Sequence, residues 1–121
     1  MHITNFRELT VWHDSIALTK QIYNTIKGFP KDEIFALSSQ IKRAVVSVPS
    51  NIAEGCGRDT IKDFVHFLHI SRGSLYELET QIEISKVLDY ISEEEYVILL
   101  NSISIIQRKI NKLISYYKKL M

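Results

Sequence analysis

Arg58, Lys62, His69, Arg72 and Tyr76 recur at intervals that put them on one side of a helix, and Lys42 and Arg43 stand on the stretch before it. Guanidinium forks and ammonium point charges bind phosphate oxygens, so the set suits a nucleic-acid backbone. The same residues would also serve as a solvated face paired with Asp59, Asp63, Glu77 or Glu79. A second basic run, Arg108, Lys109, Lys112, Lys118 and Lys119, has no acidic residue among its neighbours in sequence. In part it complements the negative end of a helix dipole. The candidates for phosphate contact are therefore Lys42, Arg43, Arg58, Lys62, Arg72, Lys109 and Lys112.

Catalytic chemistry finds little footing. His66 and His69 lie three apart, and Asp63-Phe-Val-His66 echoes the carboxylate-x-x-His element of di-iron bundles. Such a site needs that element on two helices and a carboxylate from each of two others, and no second copy exists here. No Gly-rich phosphate loop, hydrolase elbow or zinc-ligand spacing is present. Cys56 is the single cysteine, so no internal disulfide forms, which fits a reducing compartment. With no His or Asp beside it, Cys56 reads as a small turn residue. We expect no enzyme, no metal and no cofactor.

Over 121 residues the formal charge is +1, so any attraction to polyanions must come from local clustering. The N-terminus lacks a basic-then-apolar signal pattern, and no apolar run approaches about 18 residues. The expectation is a soluble cytoplasmic protein with no membrane partner. Forty-five per cent apolar content with only four glycines and two prolines favours long helices in one domain, residues 1–121.

Four helices can position these side chains. Leu9, Trp12, Ile16, Thr19, Tyr23 and Ile26 alternate by three and four, a heptad seam that ends at Gly28. The second helix is predicted to start at Pro30 or Lys31, with seam residues Ile34, Leu37, Ile41, Ala44, Val48 and Ile52, and to stop at Gly55-Cys56-Gly57. Pro49 inside it implies a kink or a break, and a kink is expected, with Ser47, Ser50 and Asn51 placed to bond freed backbone groups. Helix three opens at Asp59 or Thr60, follows Ile61, Phe64, Leu68, Ser71, Leu75, Leu78, Ile82 and Ser85, and ends near Leu88 to Tyr90. Gly73 and Ser74 add to its two seam serines a small-residue zone suited to close helix approach. Ser92 and Glu95 form a capping box for helix four, whose seam is Tyr96, Leu99, Ile103, Ile106, Ile110, Leu113, Tyr117 and Leu120. Short connections make this an all-α, antiparallel up-down-up-down four-helix bundle.

Two stretches, Arg43-Ala-Val-Val-Ser-Val-Pro-Ser-Asn-Ile-Ala-Glu-Gly55 and Gly73-Ser-Leu-Tyr-Glu-Leu-Glu79, together with Phe6-Arg-Glu-Leu-Thr-Val-Trp12, Phe29-Pro30 and Phe67-Leu68, resemble the bacterial bundle proteins encoded by 23S ribosomal RNA intervening sequences, often labelled S23 ribosomal protein. The resemblance spans nearly the whole chain and extends more distantly to accessory proteins of diversity-generating reverse transcriptases. It implies a homopentamer without known catalysis; the distant relatives bind RNA or DNA and a reverse transcriptase or other nucleic-acid enzyme through basic surfaces. Carried over residue by residue, it marks Arg43, Ser47, Pro49, Asn51, Glu54, Gly55, Arg58, Gly73, Ser74 and Glu77. Pro49, Gly55, Gly73 and Ser74 read as backbone and packing requirements; Arg43, Ser47, Asn51 and Glu54 share one stripe of helix two and suit a polar network.

With the seams turned inward, Val11 and Leu18 fall on the outer side of helix one, and Ile98 and Ile105 on that of helix four. Those helices are neighbours in the bundle, so a joined apolar strip would face water unless a second copy covered it. Ile70 and Ile84 supply a second patch, and two different patches suit a ring. The function that follows is a non-enzymatic oligomeric scaffold that binds nucleic acid, or a protein that handles it, on a basic surface. The alternative is a protein-interaction module without a nucleic-acid role.

Overall fold

The computed structural model describes residues 5–121. Four α-helices follow one another: α1 (Thr10–Ile26), α2 (Leu37–Cys56), α3 (Ile61–Val87) and α4 (Glu93–Lys118), with single 3-10 turns at Phe6–Glu8 and Lys31–Glu33. Each packs on its neighbour in sequence, and α1 closes the square on α4 with no diagonal pairing. The fold is the expected antiparallel four-helix bundle.

The ends of the helices obey their local chemistry. Ser92 Oγ accepts from the Glu95 amide and the Glu95 carboxylate accepts from the Ser92 amide, both at 3.1 Å, completing the box that starts α4. Thr60 caps α3 by accepting from the Asp63 amide at 3.1 Å, without the reciprocal bond. The end of α3 is a full Schellman arrangement in which Asp89, at φ 62°, takes the left-handed position. The Asp89 amide donates to Lys86 O and the Tyr90 amide to Ser85 O, each at 2.9 Å. Tyr90 then packs against Phe29 and donates to Glu33 at 2.7 Å, tying the α3–α4 turn to the α1–α2 turn.

The seam of α3 holds as read from Phe64 onward, and that of α4 from Leu99 to Ile110; beyond it Ile114 takes the core place expected of Leu113, and Leu120 is exposed. From Phe64 to Ser85 every expected α3 position is buried, and Leu99, Ile103, Ile106, Ile110 and Tyr117 line the α4 side. At roughly 1.5–3 kcal/mol for each large apolar side chain taken from water, this shared core dominates stability.

α1 departs from its expected seam by one column. Its buried residues are Val11, Ser15, Leu18, Ile22 and Ile26, while Ile16 and Tyr23 face outward. The two stripes have similar spacing, and Ser15 disguised the true one: its hydroxyl donates to Trp12 O at 2.7 Å, so a polar residue sits in the core at no unpaired cost. Val11 and Leu18, expected on an outer oligomer strip, therefore belong to the monomer's own core.

α2 also starts later than expected. Residues 31–36 form tight turns, Ile34 is half exposed, and the helix proper begins at Leu37. It stays helical from there to Cys56, so Pro49 does not break it. Ser50 Oγ donates to Val46 O, Asn51 Nδ2 to Ser47 O, and Ser71 Oγ reaches across from α3 to Val48 O, at 2.8, 2.8 and 2.9 Å. These bonds cluster on the carbonyls just before the proline.

Candidate nucleic-acid interface

On the flank of α3 that faces α4, Arg72 reaches two partners. Its Nη1 donates to Asn111 Oδ1 at 3.1 Å and its Nη2 lies 2.9 Å from His69 Nδ1. A guanidinium can only donate, so His69 Nδ1 accepts and the neutral ring keeps its proton on Nε2. Partial burial pushes the His69 pKa below its ordinary value, and the positive charges of Arg72, Lys118 and His66 push it the same way. No carboxylate forms an ion pair with Arg72 among the described residues, so its charge is oriented by neutral acceptors and left uncancelled.

The other predicted cations divide. Arg58 pairs with Glu54 at 2.8 Å and lies over the Phe67 ring, 4.8 Å from its centroid. Lys62 projects from the first turn of α3 into solvent without an ion pair among the described residues. Lys109 is bonded to Asp14 and to Thr10, which corrects the reading that the C-terminal run lacks acidic company: α1 supplies it across the bundle. Lys112 is exposed beside a shallow groove formed with Leu9, Leu113 and Tyr116. Lys42 sits over Tyr23 of α1, on the side opposite α4, and Arg43 donates to Ser39 at 3.2 Å. Neither joins Arg72.

Near-neutral net charge conceals a polarity along the bundle axis. The end formed by residues 5–18, 50–74 and 104–121 carries nine basic against five acidic side chains; residues 19–49 and 75–103 carry six against nine. Arg72, Lys62 and Lys118 belong to the basic end. Sequence reading missed Asn111, the neutral clamp that holds Arg72, because its partner is 39 residues away and only the α3–α4 pairing brings them together.

Other chemistry stays unassembled. Burial pushes the Cys56 thiol up to about 11, so it is protonated at neutral pH and has no thiolate to attack with. No group of three or more His, Cys, Asp or Glu gathers in a metal-holding arrangement among the described residues, and no helix is long and apolar enough to cross a membrane.

A family model for the 23S rRNA-intervening sequence protein matches residues 7–112. The chain belongs to this family. A crystal structure from Bacteroides thetaiotaomicron, a protein of unknown function from the S23 ribosomal protein family, superposes with a TM-score of 0.80 at 27% identity, covering 86% of this chain and 97% of its own. No curated protein shows significant similarity.

Part of the set that carried the family resemblance meets along the α2/α3 seam. Ser47 Oγ and Ser74 Oγ share a hydrogen bond of 2.8 Å, and Asn51 Nδ2 donates to the same Ser47 hydroxyl at 2.8 Å. The expected network on α2 is thus real for Ser47 and Asn51, whereas Arg43 and Glu54 bond elsewhere. Gly55 is a packing requirement: a Cβ there would lie 2.9 Å from both Phe64 Cδ1 and Phe67 Cβ. Gly73 is not, because a Cβ there would meet nothing within 4 Å. It lines a depression with Tyr76 and Thr80 that shares Gln40, Glu77 and Gln81 with a neighbouring α2/α3 cleft of about 470 Å³, lined also by Arg43, Ala44, Ser47 and Ser74. Gln81 is 8% exposed, and its Oε1 has no hydrogen-bond partner among the described residues. The only sequence sign of Gln81 was an amide spaced seven and three from Ser74 and Leu78, in the row beside the main seam.

Proposed function

We propose that this member of the 23S rRNA-intervening sequence family is a non-enzymatic, self-assembling scaffold that binds the phosphate backbone of RNA or DNA at the basic end of its bundle. The observation that carries this is the Arg72 guanidinium, aimed by Asn111 and His69 and cancelled by no carboxylate among the described residues, with Lys118 and Lys62 at the same end. A structural ion pair would have matched Arg72 to Asp or Glu. An arginine held by neutral acceptors keeps its charge for a ligand. A nucleic-acid enzyme such as a reverse transcriptase, sharing the bound strand, is the protein partner that fits this reading.

Self-association rests on narrower ground than the sequence suggested. With Val11 and Leu18 in the core, the apolar outer positions near the α1/α4 groove are Ile98 and Ile105 of α4, 49% and 38% exposed. They support a ring of copies, a pentamer by family resemblance, and they equally support the protein-interaction reading.

Fluorescence anisotropy with labelled single-stranded and duplex RNA and DNA over a salt series tests the main reading. Binding should weaken steeply as salt rises, and Arg72→Ala with Lys118→Ala should reduce both affinity and salt slope. Absence of binding at low salt to all four probes would overturn it. Light scattering tests assembly: Ile105→Glu should give a smaller, still helical species.

A further inference from the structure

We propose that the α2/α3 cleft beside Gly73 receives one unpaired guanine base from the strand whose phosphates lie on Arg72 and Lys118. The inference rests on the nucleic-acid reading and adds a base preference to it.

The cleft is polar where helices normally meet through apolar residues. Gln81 is nine-tenths buried and lines the cleft, and its Oε1, enclosed and without a donor among the described residues, is an acceptor that a ligand's N–H satisfies once the side chain turns outward. The Glu77 carboxylate on the same wall is a second acceptor, and it has no ion pair among the described residues. Across the cleft, Arg43 and Gln40 supply donors. Two acceptors facing two donors select among the bases. Guanine offers adjacent N1–H and N2–H₂ donors with the O6 acceptor beside them; adenine, cytosine and uracil each carry a single donor group on that edge, with an acceptor next to it. Guanine alone satisfies Glu77 and Gln81 together and turns O6 toward Arg43 or Gln40.

The rim provides a platform. Tyr76 is 54% exposed and lines the same depression as Gly73, Glu77 and Gln81. Single-stranded bases are held by stacking on aromatic rings while their pairing edges are read. Gly73, one turn before Tyr76, leaves open the space that a side chain would fill, and nothing among the described residues requires that opening. Within a helix it costs about 1 kcal/mol relative to alanine. Arg72 and Gly73 are consecutive, so a strand leaving the phosphate site toward α2 crosses Gly73 and reaches the Tyr76 ring within about 6 Å of helix axis. The core of a contact between copies of this chain would be apolar and would not centre on a carboxylate and an orphan amide.

The test uses four RNA pentamers, UUGUU, UUAUU, UUCUU and UUUUU, titrated into the intact protein with anisotropy as readout. UUGUU should bind about tenfold tighter than the others, the discrimination of one good two-bond base contact. Glu77→Gln and Gln81→Leu should remove that preference while leaving the salt slope unchanged. Gly73→Leu, whose Cβ enters open space, should keep helical content and melting cooperativity and also lose the preference. Equal affinity of all four pentamers with a normal salt slope would overturn the base site and leave the phosphate reading standing. Absence of all binding would overturn both. A change in molecular mass with Gln81→Leu or Gly73→Leu, without a change in base preference, would assign the cleft to contacts between copies and overturn the proposal.

Discussion

The seam between α2 and α3 contains two glycine positions that meet opposite surroundings. At Gly55 the helices touch so closely that Phe64 and Phe67 occupy the space of a side chain; at Gly73 that space is open. Around Gly55 the polar groups are answered from within, as when Ser71 Oγ bonds Val48 O. Beside Gly73 a carboxylate and a glutamine with an orphan oxygen line an open depression. The same residue type therefore marks self-recognition in one place and an unmet surface in the other. Folding accounts for the first and leaves the second to be explained by something outside the chain.

Breaking the closed half should give the largest effect. Gly55→Val is expected to lower stability by about 2–3 kcal/mol, the usual penalty for forcing methyl groups into a packed interface. Thermal unfolding followed by circular dichroism checks it; a melting temperature within a degree of wild type would show that α2 and α3 separate freely. Next comes Ser71→Ala, which removes a buried bond across the same interface and should cost about 1 kcal/mol. No loss on that substitution would mean that the carbonyls before Pro49 need no help from α3.

How far such features are legible in the sequence depends on what fixes them. The α3 seam, the α4 seam as far as Ile110 and the Ser92–Glu95 box follow from spacing within one helix, and they were readable. The column error on α1 arose because Ser15 is core despite its type, a fact decided by a backbone carbonyl at Trp12 that spacing does not reveal. That error moved Val11 and Leu18 to the wrong side, so a charge at Leu18 would unfold the chain where one at Ile105 would only disturb its surface. Lys109 seemed free because Asp14 is 95 residues distant. The Arg72 clamp and the Gln81 orphan share that origin: each is set by which helix lies opposite, which a periodic pattern leaves open.

Sharpening the open half should produce a gain. Gly73→Ala places a methyl group in free space and restores helix propensity, so stability should rise by about 0.5–1 kcal/mol. A chemical denaturation midpoint above wild type with an unchanged slope is the expected result. A loss would reveal a neighbour at Gly73 in solution, as contact between copies would supply.

The smallest effect concerns the other flank of the same stretch of α3, where polar groups answer one another. His69 accepts from Arg72 only while its ring is neutral, and burial, Arg72, Lys118 and His66 all hold its pKa below the ordinary value near 6.5. A histidine with a depressed folded-state pKa binds protons more readily when unfolded. Its contribution is therefore fully present above the unfolded value and is lost as pH falls from about 6.5 toward the folded-state value. Because the ring is largely solvated, the change should be small, and NMR titration of the His69 ring is the sensitive measurement. Arg72→Ala should raise its midpoint by removing a nearby positive charge. Addition of a nucleic-acid strand should raise it further in the wild type, since phosphates near Arg72 and Lys118 favour the protonated ring. A midpoint that ignores both changes would detach His69 from the cationic end and leave Asn111 as the only group aiming Arg72.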